Sequence, residues 1–150
     1  YPEATVDDLD EVLKNYDSLD FRSNTPGRKE QAIFRRRLFD NAPFADCCIC
    51  KRKYPVEFLV TAHIKKRARC SDSEKRDLKV VAPMCKFGCD DLYEKGYVAV
   101  RNGIVENVWR GDITSYVEDY IADVAGNSCL YWNNQTEGYF NWHYDWAMSR

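Results

Sequence analysis

Two short-spaced cysteine pairs, Cys47-Cys48-Ile49-Cys50 and Cys85-Lys86-Phe87-Gly88-Cys89, constrain the fold of this chain more than anything else in it. Zinc takes four tetrahedral soft ligands, and two such knuckles brought together supply them without a large core. Gly88 leaves room for the backbone to bend tightly round an ion. The segments 56–64 and 80–84 between the pairs are apolar and rich in β-forming residues, so folding them together draws the knuckles close. The pattern therefore predicts a structural zinc on Cys47, Cys50, Cys85 and Cys89, against the plainer reading of four cysteines packed as small hydrophobes. Adjacent Cys47 and Cys48 leave the register open, with Cys48 either ligand or bystander. Cys70 and Cys129 lie outside the pattern and are expected to pack.

Seven cysteines, an odd number, with no signal-peptide pattern at the start fit metal ligation in a reducing compartment better than a disulfide framework. The expected location is cytoplasmic. No run of about 18 apolar residues exists, so no membrane span is expected. A chain of 150 residues encloses one real core. Its first residue is Tyr1 rather than Met, which suggests a piece of a longer protein, with additional domains or a homodimer partner as expected associates. A net charge of −2 argues against a generic nucleic-acid binder. The charge is unevenly placed, however, and a basic face on a nearly neutral protein is enough to dock a phosphate backbone.

Apolar residues at helical spacing predict an acidic helix over 5–19, with Thr5 as N-cap and residues 1–26 as a leading helix and linker. A second helix is expected over 28–40, with Ile33, Phe34, Leu38 and Phe39 inward and Arg35, Arg36 and Arg37 outward or sideways. Residues 65–78 read as a polar connection with its own turn of helix, and residues 89–96 as a short helix ended by Gly96. Asn102-Gly103 is a strong hairpin turn inside the alternating stretch 97–108. Ile113, Tyr116, Val117, Tyr120, Ile121 and Val124 predict a third amphipathic helix, followed by an aromatic tail over 129–150 that holds His143. The order of elements implies an α+β fold, with a core over 27–108 and a C-terminal helix and tail over 109–150 packed on it.

Only two histidines occur, and His63 ends an apolar strand-like run beside Lys65, Lys66, Arg67 and Arg69. A histidine in an apolar stretch is more often a structural residue. Here its position between the cysteine pairs, next to cations that attract phosphate, suits a base that activates water. The four cations are the expected nucleic-acid contacts, with Arg35, Arg36 and Arg37 as a possible extension of the track.

Together, Cys47-x-x-Cys50, Ala62-His63-Ile64, Pro83-Met84-Cys85 and the run Cys89-Asp90-Asp91-Leu92-Tyr93-Glu94-Lys95-Gly96-Tyr97-Val98 resemble the restriction-type HNH endonucleases, the ββα-metal nucleases. The resemblance spans about residues 27–100. It implies a two-stranded hairpin and a helix gripping one divalent cation, Mg²⁺ or Mn²⁺, with His63 as general base. Asp90, in the slot of the family's helix histidine, is then a catalytic residue and the first candidate ligand for that cation, with Asp77 as the second. Ala62 stands where many relatives carry an acidic ligand, and Lys79 or Val80 where Asn is common. The implied function is metal-dependent hydrolysis of DNA by the effector part of a restriction or phage-defence protein. The competing function is a non-catalytic, zinc-stapled module that binds nucleic acid or protein.

Overall fold

The computed structural model describes residues 26–150, and the helix expected over 5–19 lies outside them. The first helix, α1 (Pro26–Phe39), starts at a proline, which suits a first turn whose N–H groups have no partner in the helix. Ile33, Phe34 and Phe39 are buried, as their spacing implies. Arg35 turns back onto the protein: its guanidinium donates to the carbonyls of Leu59 at 2.8 Å and Val56 at 2.5 Å and lies over the Phe39 ring. That arginine ties α1 to the strand that carries His63.

Two short strands, β1 (Phe44–Asp46) and β2 (Lys53–Pro55), pair antiparallel and hold the first cysteine pair in their turn. The apolar run 56–64 then divides. Its first part is a 3-10 turn, Val56–Phe58, and its second is β3 (Leu59–His63). β3 pairs antiparallel with β4 (Val81–Cys85), in a register that sets Leu59 opposite Cys85 and His63 opposite Val81. Every residue of β4 is buried. The polar connection between β3 and β4 contains a 3-10 turn at Arg67–Arg69, α2 (Asp72–Lys75) with a Ser71/Glu74 capping box, and a 3-10 turn at Leu78–Val80.

α3 (Cys89–Glu94) follows β4 directly and ends before Gly96, whose φ of 78° suits glycine. β5 (Val98–Arg101) and β6 (Ile104–Asn107) form the expected hairpin, with Asn102 and Gly103 both at positive φ. α4 (Ser115–Val124) buries Ile121 and Val124, while Tyr116 is 81% exposed, contrary to expectation, because the first turn of α4 projects past the core.

The aromatic tail contains a helix of its own, α5 (Glu137–Ser149). Its buried residues Phe140, His143 and Ala147 follow a helical spacing, which large aromatic residues on its other faces conceal in the sequence. Three separate two-stranded antiparallel sheets among helices make the described residues a mixed architecture compatible with α+β. Among those residues, no helix is long and apolar enough to cross a membrane.

Candidate metal centre and active site

The β1–β2 turn and the β4–α3 junction bring Cys47, Cys50, Cys85 and Cys89 together, with their Sγ atoms within 4.8 Å of one another and all four residues buried. Tetrahedral zinc–thiolate geometry places sulfurs about 3.8 Å apart, so this quartet can hold a metal ion, and its all-sulfur donor set suits zinc. The surroundings stabilise thiolates. The backbone N–H groups of Ile49 and Cys85 both donate to Cys47 Sγ at 3.4 Å. The Tyr120 hydroxyl lies 3.2 Å from Cys89 Sγ and 3.6 Å from Cys85 Sγ, and that of Tyr54 lies 3.4 Å from Cys50 Sγ.

Hydrogen bonds within the quartet divide the four thiols: Cys85 is held far below its ordinary range and Cys50 down to about 6, while Cys47 and Cys89 are pushed well above theirs. Gly88 is required by close approach: a Cβ there would stand 2.8 Å from Tyr120 Cζ. Cys48 is not one of the quartet; it is fully buried, and burial together with the neighbouring Cys129 pushes its thiol up.

His63 stands at the end of β3, where its ring meets Phe34 of α1 edge-on at 6.1 Å. Its Nε2 is buried and has no hydrogen-bond partner among the described residues. Burial holds the imidazole below its ordinary pKa, with Glu30 opposing that shift and Arg67 adding to it. The ring is therefore neutral at neutral pH and able to accept a proton. α3 is fastened to this end of the strand by fully buried Tyr93, whose hydroxyl donates to the Ile64 carbonyl at 2.8 Å.

Asp90, in the first turn of α3, is half-buried and has no hydrogen-bond or ion-pair partner among the described residues. Burial, reinforced by Asp91 and Glu94, pushes its carboxyl up to about 6. Asp77 is occupied elsewhere, capping the Leu78–Val80 turn through the Lys79 N–H and accepting from the Tyr139 hydroxyl at 2.5 Å. The four cysteines form a metal-ligating cluster, and His63, Asp77 and Asp90 are not drawn into one with each other.

Three consecutive cations after the β3 strand each meet a carboxylate on a different element. Lys65 pairs with Glu74 of α2, Lys66 with Glu94 of α3, and Arg67 with Glu30 of α1. Arg69 is exposed, with no ion-pair partner among the described residues. Glu30, Tyr54 and Tyr120 escaped the sequence reading. Glu30 reads as one more polar residue on a surface helix, yet it is only 2% exposed. A tyrosine near a cysteine knuckle carries a weak signal in a chain with ten of them. The chain matches no protein-family model and no curated protein.

Proposed function

We propose that this chain is an HNH-like, metal-dependent DNA endonuclease domain, built as a zinc-stapled ββα unit and serving as the effector part of a restriction or phage-defence protein. The observation that carries the reading is the unpartnered, buried Nε2 of His63 at the end of a hairpin whose next element is a helix carrying a free carboxylate. The order β3, β4, α3 is that of a ββα-metal nuclease, and the cysteine quartet clamps its base.

His63 takes the proton of the attacking water, which its neutral ring allows at neutral pH. Asp90 fits a hard divalent cation, because a half-buried carboxylate without a donor is short of compensation until it meets a positive charge. Asp77 fits less well, because both its oxygens already accept hydrogen bonds. When bound, Mg²⁺ or Mn²⁺ neutralises the phosphate and stabilises the departing 3′ oxygen. Arg67 and Arg69, with Lys65 and Lys66 behind them, face the phosphates on either side of the cut.

Supercoiled plasmid incubated with Mg²⁺ or Mn²⁺ tests the reading. The expected result is nicking or linearisation that His63→Ala abolishes while zinc content and helicity persist. Cutting by His63→Ala at the wild-type rate would falsify the assignment of the base.

A second reading, a non-catalytic binding module, is favoured by the neutralisation of Lys65, Lys66 and Arg67 by carboxylates and by His63 and Asp90 forming no metal-ligating group among the described residues. It predicts salt-dependent binding to DNA or protein without any divalent-cation-dependent cutting.

A further inference from the structure

Glu30 is the least expected residue in this region. It lies on α1, it is buried, and its carboxylate receives Arg67 side-on, Oε1 from Nε at 3.0 Å and Oε2 from Nη2 at 2.8 Å. Taking a carboxylate out of water is expensive, and a paired charge in such a place about breaks even against an apolar replacement. Net stability is therefore a poor reason for Glu30 to be there. Geometry offers a better one.

A guanidinium gripped along its Nε edge is fixed in plane and rotation, and its Nη1 end makes no hydrogen bond to any described residue. The Arg67 side chain is 37% exposed, so it is not sealed off from solvent by its pairing with Glu30. The free fork of a guanidinium matches two oxygens of a phosphodiester. Glu30 and Cys70 act on the charge of Arg67, and that charge acts on His63, three residues of the same corner. Lys65 and Lys66, by contrast, give their ammonium groups to Glu74 and Glu94 and have no comparable free edge.

We propose that Glu30 is a positioning residue that holds Arg67 with its free guanidinium end towards the scissile phosphodiester beside His63. The role rests on the nuclease reading. Glu30 touches neither water nor substrate; it acts through Arg67.

The test uses the 150-residue chain and the variants Glu30→Gln, Arg67→Lys and the double variant, each checked for zinc content and circular dichroism. Glu30→Asp, which keeps the charge but retracts it, replaces Glu30→Gln if the latter fails to fold. Single-turnover cleavage of a short duplex is measured at saturating protein with Mn²⁺, and duplex affinity by fluorescence anisotropy in EDTA. The expected result is a cleavage rate lowered about tenfold or more by either single change, with affinity in EDTA held within about threefold. The double variant is expected to be no slower than Arg67→Lys alone, because Glu30 has nothing to position once the fork is gone.

Single variants within about twofold of wild type, effects that multiply in the double variant, or a loss confined to affinity each overturn the role. If only Glu30 and Arg67 prove indifferent while His63→Ala is inactive, the nuclease reading stands without it. A wild-type chain that cuts with neither cation overturns both.

Discussion

The hydroxyl of Tyr93 donates a 2.8 Å hydrogen bond to the carbonyl of Ile64, joining α3 to the residue directly after His63. Tyr93→Phe keeps the ring and removes the donor, leaving a buried carbonyl unpaired. The expected cost is about 1–3 kcal/mol, read as a shift in the urea unfolding midpoint. The proposed cleavage should slow by more than the loss of folded protein explains, since the strand end that carries His63 loses its tie to α3. Unchanged stability would show that the carbonyl finds another donor.

The cysteine quartet predicts one tightly held zinc per chain, measured by elemental analysis of purified protein. Cys89→Ser should lose it. Extraction with a strong chelator should lower the melting temperature sharply, and zinc rather than magnesium should restore it, because metal binding here is part of folding. An unchanged melting curve after extraction would favour four cysteines packed as hydrophobes.

Tyr120 bridges Cys85 and Cys89 with one hydroxyl, and Gly88 is what lets its ring approach. Tyr120→Phe should weaken zinc binding by about tenfold in a competition assay with a chromogenic chelator. Gly88→Ala should do at least as much, since the new methyl meets the ring and not open space. A wild-type affinity in both would remove the tyrosine from the metal's surroundings.

His143 stacks on Tyr93 with centroids 3.6 Å apart, and its Nε2 lies 2.7 Å from the Tyr93 carbonyl. A carbonyl only accepts, so Nε2 carries the proton and Nδ1 is bare; it is buried without a partner. Burial takes the pKa of this ring down to about 4. The unfolded chain binds the proton more readily than the folded one between about 6.5 and 4, so stability contributed by neutral His143 is present above that window and falls as pH drops through it. The loss by pH 4 is roughly 3 kcal/mol. With only two histidines, ring-proton NMR resolves both titrations directly. A His143 midpoint near 6.5 would refute the buried neutral state.

The convergence of Cys47, Cys50, Cys85 and Cys89 was legible because its signal is local: spacing within each pair, and two β-rich runs between them, already imply it. The Asn102-Gly103 hairpin was legible for the same reason. α5 was not, because its buried face carries Phe140, His143 and Ala147 while Tyr139, Trp142, Tyr144 and Trp146 crowd its other sides, so hydrophobicity shows no period. The basic run after His63 was visible as charge, but its partners were not. Glu30, Glu74 and Glu94 lie 37, 9 and 28 positions away from the cations they meet, and spacing within a segment carries no trace of such pairs.

Those separations bear on which parts of the chain each feature needs. Glu74 and Glu94 lie in the same stretch of chain as the cysteine pairs and the β3–β4 hairpin, whereas Glu30 reaches Arg67 from α1, ahead of both. The Glu30–Arg67 closure spans 37 positions and the Cys47–Cys85 closure 38, so the two cost about the same chain entropy and loop length favours neither as the first to form. A fragment cut to residues 44–96 keeps both cysteine pairs and the hairpin strands in its sequence but loses Glu30, the carboxylate that tethers Arg67. The cysteine quartet and the tether of Arg67 therefore draw on separable parts of the chain, and an intact quartet does not report on the corner beside His63.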